Sequence, residues 1–509
     1  MPDCYPAVGF ELLSTEEMYS ADRLAVASGT PGFQLMEAAG LAVTQIIMAR
    51  YPRAFNAAGR VSVLCGPGNN GGDGFVVARQ LAKAGWAVQL GLLGDRGELK
   101  GDAGKHAALW QGDVGVLEEA MLEDCDLVVD ALFGAGLTRP LDGQVRGHVA
   151  RLNERKVPVV SVDVPSGLSG DTGQVLGDIA VQAMETVTFF RRKPGHLLYP
   201  GRGYCGEVFV RDIGISPSVL AQIEPKTWSN GPALWRAAIP RRDANSHKYH
   251  FGYALLSAGD RLVGASLLAA RAAQRAGAGL VTVACSDHSW PVIAAALPSV
   301  MTQALDQQAT FQDLLSDHRV TAVLLGPGQG VGASTREGVL AAISAKKSLV
   351  IDADALTSFG ADPDYLFEAI KAAGGVRAVL TPHDGEFARL FPDLSGDRLC
   401  RARAAATRAG AVVLLKGADS VIAAPDGRAA INENAPPDLA VAGSGDVLAG
   451  LTVGMLAQGM APFEAACAAT WLHGEAGTIA GRGLIPEDLI QSLPQVLKQL
   501  FNVPKKLSQ

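Results

Sequence analysis

Apolar residues first recur along this chain with the spacing of helices and then form short blocks typical of buried strands. Residues 14–50 are predicted to be helical, beginning at the capping pattern Ser14-Thr15-Glu16-Glu17 and ending before Tyr51-Pro52. The run 61–65 is stopped by glycines and precedes a predicted helix over 75–84. Further buried strands, separated by segments of helix length, are predicted at 86–93, 127–132 and 157–164. This alternation predicts a parallel, Rossmann-like sheet for the first half.

A change of pattern between residues 213 and 236 divides the chain, because the periodicity gives way there to Pro, Ser, Asn and Gly. With 509 residues, the chain is too long for a single core, and we predict domains at 1–224 and 225–509. The second half is predicted to have strands at 254–257, 280–284, 322–325, 349–351, 378–380 and 411–415, and helices at 264–276 and from Gly445 and Pro462. The predicted fold class is therefore α/β, with two doubly wound domains.

The composition favours a protein that acts on small soluble molecules. The formal charge is -7 and the longest basic cluster is Arg191-Arg192-Lys193, so a nucleic-acid or anionic-membrane partner is not expected. The seven cysteines are scattered without zinc-ligand spacing, the N-terminus is too polar for a signal peptide, and no apolar run approaches the length of a membrane span. We therefore expect a cytoplasmic enzyme with small soluble substrates, and we expect it to form a homo-oligomer.

Three loops of the first half follow predicted strands and should meet at the carboxyl edge of one sheet, where open α/β proteins bind ligands. They are the glycine-rich segment 66–74 and the segments 130–140 and 161–168. Backbone N–H groups of the first loop can converge on a phosphate at a helix N-terminus, although a bare glycine-rich turn is often only a tight connection. Asp130 and Asp163, each taken alone, suit ordinary turn residues.

The motifs NNGGDG, DALFG-x-GL and D-x-PSGL in these loops resemble the YjeF N-terminal family of NAD(P)H-hydrate epimerases over most of residues 10–220. The resemblance implies that Asp163 is catalytic and faces the hydrated nicotinamide ring. It also implies a potassium ion bound by Asn70, Asp130 and Ser166, whose oxygen donors suit a large cation. Lys193 could contact a phosphate, but a lone lysine is usually a solvated side chain, so it is left out of the predicted site. The implied dinucleotide-binding residues are Asn69, Asn70, Gly71, Gly72, Asp73, Gly134, Ala135, Gly136, Leu137, Thr138, Arg139, Pro140 and Asp163.

In the second half, the segment Gly443-Ser444-Gly445-Asp446 opens an apolar helix. Its backbone amides can form an anion hole beside a carboxylate, which allows a substrate hydroxyl to be deprotonated while a transferred phosphoryl group is neutralised. The alternative is an ordinary N-cap aspartate. Four more loops follow predicted strands and crowd the same sheet edge, at 325–330, 352–356, 381–387 and 415–420.

Together with segments 276–281 and 473–477, these loops resemble the ribokinase-like ADP/ATP-dependent NAD(P)H-hydrate dehydratases over roughly residues 240–490. The resemblance implies a catalytic Asp446 that meets the hydrate together with His383, in a pocket lined by Ala265 and Gly328. It implies that ADP is bound by Lys416, Gly417, Ala418, Asp419, Ser420 and Gly445. Magnesium is expected to be held through substrate oxygens and water.

The chain departs from this family's pattern at Asp384, at Ser444 and in the turn 257–260. Asp384 brings a negative charge toward an anionic ligand, and the altered turn leaves nucleotide contacts there open. Ser444 keeps the hydroxyl of the usual threonine.

The function hypothesis is a fused repair enzyme for hydrated nicotinamide dinucleotides. One domain interconverts the R and S hydrates, NADHX and NADPHX, and the other dehydrates the S form with ADP by phosphorylation and elimination. The alternative is a ribokinase-like kinase for a small alcohol with a regulatory nucleotide-binding N-terminal domain, but the apolar lid of such kinases is not found before Ala254. A third hypothesis makes the N-terminal domain a non-catalytic scaffold, against which the set Asn70, Asp130, Asp163 and Ser166 counts.

Overall fold

The computed structural model describes residues 10–51, 59–117, 119–306, 309–374 and 377–501. Cys4 and Pro52, which the sequence predictions used, lie outside these ranges. The chain divides into two compact units, here called the first domain, Glu11–Thr227, and the second domain, from Trp228 onward. The division falls in the segment where the periodicity lapses, three residues beyond the expected position.

The first domain is built on a seven-stranded sheet in which neighbouring strands run parallel, as predicted. Alternate residues of its central strands pack into two different hydrophobic cores. Val63 and Val129 belong to one core, and Leu64 and Val128 belong to the other. The strands, in spatial order, are β3 (Gly115–Val116), β2 (Ala87–Leu92), β1 (Arg60–Cys65), β4 (Leu127–Ala131), β5 (Val159–Val162), β6 (Glu185–Phe189) and β7 (Glu207–Arg211). The helices are α1 (Thr15–Ala27), α2 (Gly32–Arg50), α3 (Asn69–Lys83), α4 (Gly101–Ala108), α5 (Gly143–Glu154), α6 (Gly201–Cys205) and α7 (Leu220–Ile223).

Helix α3 begins at Asn69, six residues before the predicted start at Phe75. The glycine-rich segment is therefore the first turns of the helix, and its glycines serve packing. A Cβ on Gly71 would lie 1.9 Å from the carbonyl oxygen of Gly66, and one on Gly74 would lie 2.7 Å from Cys65 Sγ. These contacts bring α3 against β1 more closely than any side chain allows.

Helix α2 is long and apolar enough, by length and composition, to cross a membrane. It is instead a layer of the first domain, where half of its most apolar window is buried and where it packs against α3. Gly40 makes this packing close, since a Cβ there would lie 2.4 Å from Val76 Cβ. Its apolar character is thus explained by burial in the protein.

The second domain has a ten-stranded sheet whose larger part is parallel. In spatial order its strands are β11 (Met301–Leu305), β10 (Leu280–Ser286), β9 (Tyr253–Ser257), β12 (Ala322–Leu325), β13 (Ser348–Ile351), β14 (Ala378–Leu380), β15 (Val412–Leu415), β16 (Val421–Ala423), β17 (Ala429–Ile431) and β8 (Thr227–Ser229). The pairs β15–β16 and β16–β17 are antiparallel, and β8 is an edge strand inside the segment predicted to be irregular. These strands are short and are not separated by helices, so they do not show the alternation from which the parallel strands were predicted.

The helices of the second domain are α8 (Pro232–Trp235), α9 (Val263–Ala276), α10 (Trp290–Ala296), α11 (Phe311–Ser316), α12 (Ala333–Ser344), α13 (Ala353–Ser358), α14 (Pro363–Ala372), α15 (Asp384–Leu390), α16 (Arg398–Ala409), α17 (Ser444–Ala457), α18 (Pro462–Ala480) and α19 (Pro486–Phe501). Helix α17 is buried from Val447 to its end. Gly450 and Gly454 let it approach the α9 backbone, because a Cβ on Gly450 would lie 2.2 Å from Ala269 O. This contact fixes the N-terminus of α17, which carries Asp446.

Candidate active sites

A cavity of about 490 Å³ opens at the carboxyl edge of the first sheet. Most of the predicted dinucleotide-binding residues line it: Asn69, Asn70, Asp73, Gly134, Ala135, Gly136, Leu137, Thr138, Arg139 and Asp163. Gly71, Gly72 and Pro140 are not among the described lining residues. Gly72 faces the protein instead, where a Cβ would lie 2.5 Å from Met36 Sδ.

Asp163 follows β5 with a positive φ of 66°, a backbone conformation that L-residues seldom adopt. Its Oδ1 accepts hydrogen bonds from Lys193 Nζ and, at 2.9 Å, from Thr188 Oγ1. Its Oδ2 accepts from the Ala135 amide at 3.2 Å. Burial acts to raise the pKa of Asp163, but the Lys193 charge and hydrogen bond outweigh it and hold the pKa below its usual value. The carboxylate is therefore ionised at neutral pH.

Lys193 was misinterpreted as a solvated side chain. Its side chain is 2% exposed, and its ammonium also donates to Thr188 Oγ1 at 2.9 Å. The neighbouring His196 accepts from the Lys193 amide at Nδ1 and donates from Nε2 to Asp163 O, each at 2.9 Å. Burial and Lys193 lower the pKa of His196 to about 4, so this ring is neutral. The sequence signal was Lys193-Pro194-Gly195, a short turn that holds the lysine under the cavity.

Helix α1 supplies cavity-lining residues that sequence reasoning missed, among them Tyr19 and Asp22. The helix is fixed in place because Thr15 donates from its amide to Asp171 Oδ1 at 2.7 Å and from Oγ1 to Ala135 O at 3.2 Å. Burial raises the pKa of Asp22 to about 6, with Lys193 opposing and Asp163 adding to the shift. The pKa of Asp73 is raised further by burial and by the other two carboxylates.

Asp130 and Ser166 form a buried oxygen cluster beside this cavity. Asp130 is fully buried, and it accepts from Ser166 Oγ at 2.6 Å and from Ser166 N and Ser161 Oγ at 2.9 Å. Ser166 Oγ also lies 3.0 Å from Phe133 O. Within the described ranges Asp130 has no cationic partner, and burial raises its pKa against these hydrogen bonds. Asn70 contributes a buried Nδ2 that has no hydrogen-bond partner in the part of the chain that the structure describes.

In the second domain, Asp446 lies in the first turn of α17, after Gly443 with its φ of 90°. The Lys416 ammonium reaches the same turn, since it would lie 3.7 Å from a Cβ on Gly445. Lys416 Nζ donates to Asp352 Oδ1 at 2.8 Å, and Asp352 is buried. Burial, and then Asp352, raise the pKa of Asp446 to about 6, against the effect of Lys416. The site therefore combines helix N–H groups, a buried ammonium and a carboxylate able to accept a proton near neutral pH.

Much of the loop predicted to bind ADP is held by interactions within the protein. Ser420 Oγ accepts from Gly417 N at 3.0 Å, which closes a turn. Arg398 pairs with Asp419 at 3.1 Å and with Asp384 at 2.6 Å, and it donates to Lys416 O at 3.1 Å. Arg401 lies 3.5 Å from Asp384 as well. The charge of Asp384, expected to disturb an anionic ligand, is thus balanced by arginines that the sequence analysis did not identify.

His383 is the N-cap of α15. Its Nδ1 accepts from the amides of Gly385 and Glu386 at 3.0 and 3.3 Å, and the Glu386 side chain accepts from His383 N at 2.9 Å. The other ring nitrogen, Nε2, lies 3.5 Å from Glu386 Oε1, and the His383 side chain is 56% exposed. A cap that fixes the ring while the side chain stays exposed is compatible with ligand contact.

Gly328 and Ala265, both predicted to line the hydrate pocket, are joined through Leu262. A Cβ on Gly328 would lie 2.3 Å from Leu262 O, and Leu262 O accepts from Ala265 N at 3.4 Å. The altered turn 257–260 packs on the same loop, because a Cβ on Gly259 would lie 1.8 Å from Gly328 O. The chain therefore keeps a tight turn there despite its different sequence.

His473, on α18, is a further residue of this site beyond the predicted set. It is buried, and its Nε2 has no hydrogen-bond partner within the described ranges. Burial lowers its pKa to about 4, and the Lys416 charge contributes. Among the described residues no group of three or more His, Cys, Asp or Glu side chains is arranged to hold a metal ion.

Comparisons with known proteins match both halves of the chain. A family model described as YjeF-related protein N-terminus matches residues 32–195, and one described as NAD(P)H-hydrate dehydratase matches residues 254–495. The bifunctional NAD(P)H-hydrate repair enzyme Nnr of Salinibacter ruber is 38% identical, over 96% of this chain and 96% of that protein. Its counterpart from Moorella thermoacetica is 37% identical, over 96% of this chain and 97% of that protein.

Among solved structures, an ADP/ATP-dependent NAD(P)H-hydrate dehydratase from Bacillus subtilis, co-crystallised with ATP and Mg²⁺, is 30% identical. It covers 52% of this chain and 95% of its own, with a TM-score of 0.45.

Proposed function

Because this chain belongs to the family of bifunctional NAD(P)H-hydrate repair enzymes, as its near-full-length relatives establish, we propose that it carries out both reactions of that repair. The first domain interconverts the R and S hydrates of NADH and NADPH. The second domain dehydrates the S hydrate with ADP. The observation that carries the proposal is the pairing of an ionised carboxylate, Asp163, with a buried ammonium, Lys193, at the edge of a cavity of about 490 Å³.

In the first domain, Asp163 is proposed as the group that exchanges a proton with the C6 hydroxyl of the hydrate. Lys193 keeps the carboxylate ionised, and the Ala135 amide and Thr188 hydroxyl orient its two oxygens. A carboxylate held in this way can accept a proton without rearranging its own contacts. Asn69, Asn70, Asp73 and the segment 134–140 are proposed to hold the rest of the dinucleotide.

A potassium ion is proposed at the oxygen cluster of Asn70, Asp130 and Ser166. The cluster fits such an ion, because Asp130 is a fully buried carboxylate for which the described part of the chain supplies hydrogen bonds but no cation. Phe133 O, 3.0 Å from Ser166 Oγ, adds a carbonyl donor, and the unpartnered Asn70 amide supplies an oxygen if its two ends are exchanged. A bound cation would neutralise Asp130 and hold the loops that carry Gly134 and Asp163.

The potassium proposal predicts a cation-dependent stability. Replacing potassium by a large organic cation should lower the melting temperature of the first domain, because an ion that binds only the folded state stabilises it by mass action. Differential scanning calorimetry in the two salts at equal ionic strength measures the shift. The variant Asp130→Asn should melt equally in both salts. An unchanged melting curve for the unmodified chain contradicts the site.

In the second domain, Asp446 is proposed to take the proton of the C6 hydroxyl as its oxygen attacks the terminal phosphoryl group of ADP. The P–O bond of ADP breaks, AMP leaves, and the hydroxyl becomes a phosphate ester. Phosphate then departs with the C6–O electrons as the ring nitrogen lone pair forms a C=N bond, and loss of the C5 proton restores the dihydropyridine. The amides at the start of α17 and the Lys416 ammonium face the transferred charge.

Lys416, Gly417, Ala418, Asp419, Ser420 and Gly445 are proposed to bind the nucleotide, and Ala265, Gly328 and His383 to contact the hydrate. Magnesium, when bound with the nucleotide, would neutralise phosphate oxygens. The ion is proposed to be held mainly by phosphate oxygens and water. The enzyme is further proposed to be cytoplasmic, in keeping with the six unpaired cysteines of the described chain. It is also proposed to form a homo-oligomer.

The decisive experiment incubates the pure protein with hydrated NADH and follows recovery of the dihydronicotinamide absorbance with ADP, with ATP and with neither. Nucleotide-dependent recovery of the whole hydrate pool, both epimers, is expected, with AMP formed from ADP. Nucleotide consumption with a small alcohol and none with the hydrate would favour the kinase alternative. No nucleotide-dependent recovery overturns the proposal.

A further inference from the structure

Asp22 lines the first-domain cavity without a partner among the described residues. It is half-buried on α1, and within those residues its carboxyl makes no hydrogen bond or ion pair. An unpaired carboxyl in a partly buried position costs folding free energy, so its presence calls for a role other than stability.

The position of Asp22 is held firmly. Met18, one turn earlier, and Ala25, nearly one turn later, are buried in the core. The start of α1 is tied to the cavity wall through Thr15, which bonds to Ala135 O and Asp171. Asp22 therefore reaches the cavity from a helix, whereas Asp163 reaches it from the end of β5.

The carboxyl groups of Asp22 and Asp163 differ in their hydrogen bonds and in their proton affinity. Lys193 donates to Asp163 and makes no hydrogen bond to Asp22 among the described contacts, so Asp163 is the ionised member. Burial and the charge of Asp163 raise the pKa of Asp22 to about 6, while the positive charges of Lys193 and Arg23 oppose this shift. Two carboxyl groups of different proton affinity thus face a single cavity, and Asp22 holds a proton more readily than Asp163. They lie beside Asn70, whose buried Nδ2 has no hydrogen-bond partner among the described residues.

Epimerisation at C6 needs such a pair if water leaves one face of the ring and returns to the other. We propose that Asp22 is the second proton-exchange group of the epimerase, serving the face of the nicotinamide ring opposite to that served by Asp163. This inference rests on the proposed epimerase function.

The step balances with water alone. The protonated Asp22 gives its proton to the C6 hydroxyl, the C6–O bond breaks, water departs, and the ring nitrogen lone pair forms a C6=N bond. A second water adds to the other face, the C6=N electrons return to nitrogen, and Asp163 takes the proton released. Reaction in the opposite sense uses the same groups with their roles exchanged, and solvent returns the protons between turnovers.

The test compares Asp22→Asn with the matched control Glu16→Gln, which removes an exposed carboxylate from the same helix outside the cavity. The turnover of R hydrate to S hydrate should fall by roughly 10²–10⁴-fold in Asp22→Asn, the range for loss of an acid–base group, and stay within threefold in Glu16→Gln. ADP-dependent dehydration of the S hydrate should be unchanged in both. The melting temperature of the first domain should be equal to or above that of the unmodified chain.

A second measurement follows the oxygen. In water enriched in ¹⁸O, the S hydrate formed from R should carry the heavy isotope at C6, because the proposed route breaks the C6–O bond. Retention of ¹⁶O overturns the route and with it the role of Asp22.

The inference is also overturned if the R-to-S turnover of Asp22→Asn lies within threefold of that of the unmodified chain. It is likewise overturned if the loss of activity in Asp22→Asn accompanies a lower melting temperature. The proposed function itself fails if the unmodified chain has no epimerase activity, so the two failures can be distinguished. If the unmodified chain is active and Asp163→Asn is slow while Asp22→Asn is not, only the inference is wrong.

Discussion

The two carboxylates proposed as bases show how single residues with similar neighbours acquire different proton affinities. Lys193 donates directly to Asp163, so charge and hydrogen bond overcome burial and lower its pKa. Lys416 donates instead to Asp352, so Asp446 is left with burial and with the repulsion of Asp352, and its pKa rises to about 6. The direction of each shift follows from where the neighbouring lysine places its hydrogen bonds.

This difference predicts the acid limb of the dehydration reaction. Asp446 must be ionised to accept a proton, so kcat/KM for the S hydrate should fall about tenfold per pH unit once the pH drops below about 6. A pH–rate profile between pH 5 and 8 measures the limb. In Asp446→Asn the limb should vanish together with most of the rate. A flat profile down to pH 5 in the unmodified chain contradicts the assignment.

Lys193→Met tests the buried pair by removing the charge at similar side-chain length. The first domain should lose roughly 3 kcal/mol of unfolding free energy at pH 7, because a mostly buried carboxylate then has no cation. The lowered pKa of Asp163 contributes stability above its unfolded pKa and loses it as the pH falls through the folded pKa. The loss in the variant should therefore shrink in acid.

Urea unfolding of the first-domain transition at pH 7 and at a pH well below 3.8, the ordinary pKa of this carboxyl, checks this difference. Lys83→Met, on an exposed lysine at the end of α3, is the control and should change stability by less than about 0.5 kcal/mol. If Lys193→Met is as stable as Lys83→Met at pH 7, the ion pair between Lys193 and Asp163 does not stabilise the fold.

At the scale of elements, the cavity depends on how closely α3 approaches β1. The run of small residues within NNGGDG suggested a loop for phosphate, but Gly71, Gly72 and Gly74 are contact points of a helix in the structure. The residues of that segment that reach the cavity are Asn69, Asn70 and Asp73. The glycines determine where the polar side chains lie.

Gly71→Ala should destabilise the first domain by roughly 1–3 kcal/mol or more, because the added Cβ would lie 1.9 Å from Gly66 O and backbone cannot swing away. Gly68→Ala is the control, since a Cβ there meets nothing within 4 Å and its φ is -106°. It should change stability by less than about 0.5 kcal/mol. Thermal melting of both variants provides the measurement. Equal melting temperatures would mean that the close approach of α3 is not required.

At the scale of the whole molecule, the residues proposed for each reaction lie within one domain. The first-domain cavity is lined by residues between Thr15 and Ile213, and the second-domain site is built from residues of β9 to α18. We therefore expect the two reactions to be separable in the intact chain.

Asp446→Asn keeps the size and hydrogen bonding of the side chain but removes the base, so ADP-dependent dehydration of the S hydrate should fall by roughly 10²–10⁴-fold. Epimerisation should persist. Asp163→Asn should have the reverse effect, leaving dehydration of the S hydrate intact while conversion of R slows to its spontaneous rate. Assays of each variant with separated R and S hydrates distinguish the two. Loss of both activities in Asp446→Asn with the fold intact would contradict one reaction per domain.

The sequence by itself determined the α/β alternation, most of the central strands and the loops that carry the chemistry. Strands buried on both faces must be apolar throughout, and their carboxyl ends must meet, so periodicity is enough to predict both. The packed structure alone decided that Lys193 lies under Asp163, that Arg398 balances Asp384, and that Asp22 joins the cavity. Those pairings link residues 14 to 141 positions apart, and a local pattern does not specify which distant side chains tertiary packing brings together.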